Sequence, residues 1–252
     1  MSSSASSFTG SSSDCTTGTP VSSDSPIREN IAAAVRRVRE TTPLAQSFTN
    51  FVTINLVANA QLAAGGTAAM SFLPDDVIET AKIAGANYIN VGTLLPFYKD
   101  ALPEIAQRLN YLGKPWVLDP VAAGIGRTRT SILQAFKAAP PTVIRANASE
   151  VIALANMWGL NTESAGDASE HRPAGVESVD DVDSATGAAV ALARYLTEQH
   201  AKHSSHDASI PCAVAVSGIA DLVTDGETVY RLPGGICARW YISASMIQAI
   251  RG

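Results

Sequence analysis

Strand-like and helix-like segments alternate along most of this chain, and that alternation constrains the fold more than any other feature. "NYINVG", "PWVLDPV" and "TVIRA" are short, rich in β-formers and bounded by turn residues. Each is followed by a longer stretch with helical spacing: "PFYKDALPEIAQRLNYLG", "RTSILQAFKAA" and "SEVIALANMWG". A strand followed by a crossover helix and another strand makes a βαβ unit, and βαβ units repeat into a mostly parallel sheet. The expectation is an α/β fold, with a mostly parallel central sheet and helices on both faces.

The remaining segments extend the pattern. "IRENIAAAVRRVRE" places Ile27, Ile31, Val35 and Val38 on one helix face. "FVTINLVANAQLAA" reads as a helix stopped by Gly65-Gly66, and "TAAM" as a short strand. "LPDDVIETAKIA" opens with Pro74 and two aspartates, residue types that suit a helix N-terminus. Residues 161–182 are polar and read as a surface loop, followed by the helix "DSATGAAVALARYLTEQH". "HAKHSSHDAS" reads as a loop. "CAVAVSG", "DLVTDG" and "ETVYRL" read as three strands, the last two joined through Asp225-Gly226, a hairpin signal.

Residues 1–26 are a Ser/Thr/Gly-rich stretch without the apolar residues a core needs, so they read as a disordered tail. Residues 27–252 then form a single domain, a size that 252 residues in all readily supplies. The chain is 46% hydrophobic but 6% aromatic, which favours an Ala/Val/Ile/Leu-filled α/β core over an aromatic-rich β fold. A net charge of −5 and the lack of a basic stripe argue against nucleic acid. No apolar run reaches membrane-spanning length. Cys15, Cys212 and Cys237 are too scattered for a disulfide framework, which suits a cytoplasmic protein. His200, His203 and His206 have a metal-like spacing but no neighbouring carboxylates, so a metal site is not expected there.

In parallel α/β sheets, ligands bind beyond the carboxyl ends of the strands. The informative residues are therefore Asn90-Val91-Gly92, Asp119-Pro120, Arg145-Ala146-Asn147 and Ser217-Gly218. Asp119, Arg145, Asn147 and Glu150 could converge on one edge. Two carboxylates and a guanidinium there suit Mg²⁺ with phosphate. Each also has a plainer reading. Asp119 can be a turn residue before Pro120, and Asn147 or Ser149 a helix cap with Glu150 in its first turn. Arg145 can simply pair with Glu150. "GIGRTRT", beside Asp119-Pro120, either approaches nucleotide phosphates or makes the turn into the next helix.

Five segments, in order and spacing, resemble the hydroxyethylthiazole kinase family: "SFTNFVTINLVANAQLAAGGTAAM", "NYINVGTL", "WVLDPVAAG", "TVIRANASE" and "SGIADLVTDG". The resemblance runs from about Pro43 to Gly235. It implies the ribokinase-like fold and phosphorylation of 4-methyl-5-(2-hydroxyethyl)thiazole by ATP and Mg²⁺ in thiamine salvage. It also implies a homotrimer with the thiazole site between subunits. Residue by residue, it assigns Arg145, Asn147 and Ser217 to ATP, and Asp119 and Glu150 to Mg²⁺. Met70, Asn50 and Asn55 fall to the thiazole.

The sequence leaves the family pattern after Gly235. The family has a glycine-rich turn there, whose backbone N–H groups would receive the transferred phosphate. This chain has Gly234-Gly235-Ile236-Cys237 followed by Arg239 and Trp240, so no catalytic role is carried to Cys237. Ala146 and Ile219-Ala220 are smaller departures. The expectation is a domain whose C-terminal helices are missing, with a marginally stable, partly uncovered sheet unless it oligomerises. The alternative function is a silent family member that only binds thiazole or nucleotide, or co-assembles with an intact copy.

Overall fold

A computed structural model describes residues 20–160, 182–203 and 212–233. The first helix, α1 (Pro26–Thr41), leads into β1 (Leu44–Phe48), α2 (Ile54–Ala63) and β2 (Thr67–Met70). Regular alternation follows with α3 (Pro74–Ile83), β3 (Ala86–Asn90), α4 (Tyr98–Tyr111), β4 (Trp116–Asp119), α5 (Arg127–Ala135) and β5 (Val143–Asn147). The described part closes with α6 (Ala148–Trp158), α7 (Thr186–His203), β6 (Ala213–Ser217), β7 (Ala220–Thr224) and β8 (Val229–Pro233). The strands form one sheet in the order β2-β1-β3-β4-β5-β6-β7-β8. Pairing is parallel from β2 through β6, and antiparallel for β6–β7 and β7–β8.

Three local expectations change. β1 was not expected, because Gln46 and Ser47 interrupt the apolar pattern of "LAQSF"; both are nevertheless fully buried. The turn before α2 takes up Phe51–Thr53, so the helix is shorter than "FVTINLVANAQLAA". At the other end, α7 continues through His203 and absorbs the start of "HAKHSSHDAS". His200 is held there by its Nε2, 3.1 Å from the carbonyl oxygens of both Pro140 and Pro141. A nitrogen that faces two carbonyls donates to them and is not a metal donor. His206, His171, Cys15, Cys237, the tail of residues 1–19 and the segment around Gly234-Gly235 lie outside the described residues.

The pleat gives the sheet two unlike faces. On one face, Phe48, Ile89, Leu118, Ile144 and Val214 lie side by side across five strands. Helices α3 to α7 cover this row with Val77, Leu102, Leu133, Leu154 and Leu192, all fully buried. Each such side chain contributes roughly 1.5–3 kcal/mol of transfer free energy. The opposite row is Ser47, Tyr88, Val117, Val143 and Ala213. It carries a small apolar cluster of Val117 and Val143, with Ala86 and Tyr88 against it. α2 reaches this second face, where the Gln61 amide donates to Ser47 Oγ at 2.7 Å. Toward the carboxyl ends the second face turns polar, with Asn90 beside Asp119 and Asn147 beside Ser217.

Candidate active site

Asp119, Asn147, Ser217, Asn90 and Met70 are each the last residue of their strand. Arg145 lies on β5 two residues before Asn147, so both side chains belong to the same face. These placements follow from the parallel topology, which sends every carboxyl end of β1 to β6 to one edge.

Asp119 is the centre of the arrangement. Its side chain is 8% exposed. Oδ2 accepts from the Tyr88 hydroxyl at 2.8 Å and from the Asn90 amide at 2.9 Å, and an Arg145 guanidinium nitrogen lies 3.8 Å away. Burial pushes the Asp119 carboxyl above its ordinary value, and Arg145, Tyr88 and Asn90 oppose that rise. Tyr88 is pushed well up by burial and by the Asp119 charge, so it acts as a neutral phenol that donates.

Glu150 sits in the first turn of α6 and forms a full capping box with Asn147. Its Oε2 accepts from Asn147 N–H at 3.0 Å, and Glu150 N–H donates to Asn147 Oδ1 at 2.9 Å. Its Oε1 accepts from Ala122 N–H at 2.9 Å, in the turn after β4. Burial raises the Glu150 pKa first, and the charge of Asp119 raises it further. The plain capping reading of these residues is therefore correct, and it coexists with a second property. Two buried carboxylates lie at one strand edge, and the charge of Asp119 disfavours ionisation of Glu150, an arrangement that a divalent cation would relieve. The donor set is all oxygen, as Mg²⁺ prefers.

The other candidate residues are placed as follows. Asn50 is buried and links two elements: its amide donates to Asn90 Oδ1 at 3.0 Å, and its Oδ1 accepts from Val52 and Thr53 N–H at the start of α2. Asn55 is exposed on α2, where its carbonyl oxygen accepts from Asn59 at 3.4 Å. It is not drawn into the Asp119 cluster. Met70 is half-buried, and its strand position faces Ser47 on β1. Beyond Ser217 the chain turns sharply at Gly218, whose N–H donates to the buried Asp221 carboxylate at 3.1 Å. A Cβ at Gly218 would overlap the Val182 side chain. Arg129 of "GIGRTRT" is engaged by its own surroundings, donating to the carbonyls of Val91, Gly92 and Ile125. Arg127, Gly124, Gly126, Thr130, Ser131 and Gln134 line an open cleft of about 430 Å³ beside it.

Sequence reasoning marked Asn90 as a strand-end residue but did not place it in the site. Tyr88 was not marked, because a tyrosine inside a strand reads as sheet packing. The usable signal was its spacing: Tyr88 and Asn90 are two apart, so they share the face that carries Asp119.

The sheet order, with helices covering it, defines a ribokinase-like α/β fold. The pyridoxal kinase from Staphylococcus aureus in complex with ADP has the same fold, with a TM-score of 0.53 over 83% of this chain and 80% of that one, at 12% identity. Residues 35–246 match the model of the hydroxyethylthiazole kinase family. A hydroxyethylthiazole kinase of Bifidobacterium longum (strain NCC 2705) is 92% identical over 235 residues, covering 93% of this chain and 75% of the relative. The solved hydroxyethylthiazole kinase of Pyrococcus horikoshii OT3 superposes with a TM-score of 0.67 at 26% identity, over 88% of this chain and 80% of that one. The chain belongs to the hydroxyethylthiazole kinase family and is a phosphotransferase of that kind. The family match continues to residue 246, past Gly235 where the motifs quoted above stop. Nothing in these similarities favours the silent-member alternative. Among the described residues, no helix is long and apolar enough to cross a membrane.

Proposed function

We propose that the chain transfers the γ-phosphoryl group of ATP to the primary hydroxyl of 4-methyl-5-(2-hydroxyethyl)thiazole, with Mg²⁺, in thiamine salvage. The observation that carries this reading is the convergence of Asp119, Glu150 and Arg145 on one strand edge. The hydroxyl oxygen bonds to the γ-phosphorus, the bond from that phosphorus to the β–γ bridging oxygen breaks with its electron pair leaving on ADP, and the hydroxyl proton passes to water. Such a reaction asks a protein mainly for positioning and charge stabilisation.

Arg145 supplies a planar fork of donors for phosphate oxygens. Asn147 and Ser217 are strand neighbours and offer polar contacts to the nucleotide beside it. Asp119 and Glu150 would hold Mg²⁺, whose charge neutralises the phosphate oxygens when it is bound. Met70, Asn50 and Asn55 belong to the segment we assign to the thiazole alcohol. The exposure of Asn55 fits a pocket completed by a neighbouring copy in a homotrimer. A reducing cytoplasm is the setting we infer, in keeping with the scattered cysteines.

The test is ADP release by the purified chain with the thiazole alcohol, ATP and Mg²⁺, beside an Arg145→Ala variant. Turnover that needs the alcohol and collapses in the variant is the expected result. ADP release that ignores the alcohol, or survives the variant intact, would refute the reading.

A further inference from the structure

The hydrogen bonds around Asp119 are one-sided. Both neutral donors, the Tyr88 hydroxyl and the Asn90 amide, meet at Oδ2. Among the described residues no hydrogen-bond donor is found on Oδ1. The two donors also bond each other, since Asn90 Nδ2 lies 3.1 Å from the Tyr88 hydroxyl oxygen. Asn90 is in turn locked from its far end, where its Oδ1 accepts from Asn50 at 3.0 Å and from Gly92 N–H at 2.8 Å. The Tyr88 ring is held against Val117 and Val143. The carboxylate is therefore fixed in rotation by groups that are themselves fixed.

We propose that Tyr88 is a positioning residue for phosphoryl transfer: with Asn90 it pins Asp119 through Oδ2, so that Oδ1 is presented to the cation and its phosphate. This rests on the reading of Asp119 given above. A carboxylate on a free rotor must be ordered each time a cation binds, and a pinned one is already ordered. The oxygen that already accepts the bonds is the poorer cation ligand, so the donors also choose which oxygen is used. Asn50 belongs to the same chain of bonds. Because its Oδ1 accepts from Val52 and Thr53 N–H at the start of α2, it ties the segment assigned to the thiazole to the carboxylate that serves the phosphates.

The test uses Tyr88→Phe in the full chain, which removes the hydroxyl and keeps the ring on Val117 and Val143. Activity is titrated with Mg²⁺ at saturating ATP and thiazole alcohol, with Asp119→Asn in parallel and a thermal melt of each protein. The expected result is a rise of about fivefold in the Mg²⁺ concentration giving half-maximal activity for Tyr88→Phe. The KM for the thiazole alcohol should stay unchanged, and the melting temperature should stay within about 2 °C. A merely structural tyrosine would move the melt and leave the Mg²⁺ requirement alone, which overturns the proposal. If Tyr88→Phe leaves the Mg²⁺ curve in place while Asp119→Asn abolishes activity, the positioning role fails and the assignment of Asp119 stands. If Asp119→Asn also leaves it in place, both fail.

Discussion

The two faces of the central sheet use the same strands for opposite purposes. Phe48, Ile89, Leu118 and Ile144 point into an apolar layer roofed by five helices, and the contacts there are interchangeable in kind. Asn90, Asp119, Arg145 and Asn147 are on the other face of β3, β4 and β5, and each has a specific partner. Leu118 and Asp119 are consecutive residues. One is buried at no electrostatic cost, and the other is buried against a desolvation penalty that raises its pKa. The difference shows where this fold invests stability and where it holds charge ready for a ligand.

The sharpest way to break the comparison is to neutralise the charge without changing the shape. Asp119→Asn should lower kcat by roughly a thousandfold, about 4 kcal/mol, the scale seen when charge-stabilising groups are removed from such sites. The melt should change little, or rise, because burial disfavours the Asp119 charge more than Arg145, Tyr88 and Asn90 favour it. Steady-state kinetics with parallel calorimetry decides this, and a variant that loses its fold along with its activity would erase the distinction between the faces.

The neighbouring substitution should do the reverse. Leu118→Ala removes a fully buried side chain from the apolar layer and should cost about 2–5 kcal/mol of stability. The folded fraction should keep its KM values. Urea unfolding followed by assays below the transition measures both.

Glu150→Ala tests the one residue that serves both purposes. It deletes the glutamate half of the α6 capping box and the tie to Ala122, while the residue-150 N–H still donates to Asn147 Oδ1, so stability should fall by about 1–2 kcal/mol. Activity should fall as well, and the Mg²⁺ requirement should rise. A loss of stability alone would confine Glu150 to capping. The smallest expected effect is at Ala122, which has a φ of 58° in the turn held by Glu150. Ala122→Gly relieves that left-handed strain, worth about 1–2 kcal/mol, but gives the unfolded chain more freedom. The expected net gain is about 0.5 kcal/mol in a thermal melt, with kinetics unchanged.

Much of the site could be read without coordinates, for a definite reason. A parallel sheet delivers its carboxyl ends to one edge, so Asp119, Arg145, Asn147 and Ser217 could be marked from the positions of three strands alone. Periodicity likewise placed α3, α4, α5 and α6, because their apolar faces repeat at helical spacing. It failed at β1, where Gln46 and Ser47 break the apolar pattern of a strand paired on both edges. It stopped short at the end of α7, which runs on past His200 to His203.

The sequence by itself determined the alternation, and with it the sheet, its polar edge and the residue types found there. Those properties depend on local spacing and on the handedness of the chain. Tertiary structure alone decided which oxygen of Asp119 is pinned, that Tyr88 is the residue pinning it, and that Asn50 joins this network while Asn55 stays outside it. Tyr88 and Asp119 are 31 residues apart, and Asn50 and Asn90 are 40 apart. Hydrogen bonds over such separations depend on strand register and on a rotamer set by packing, and no local pattern of residues encodes either.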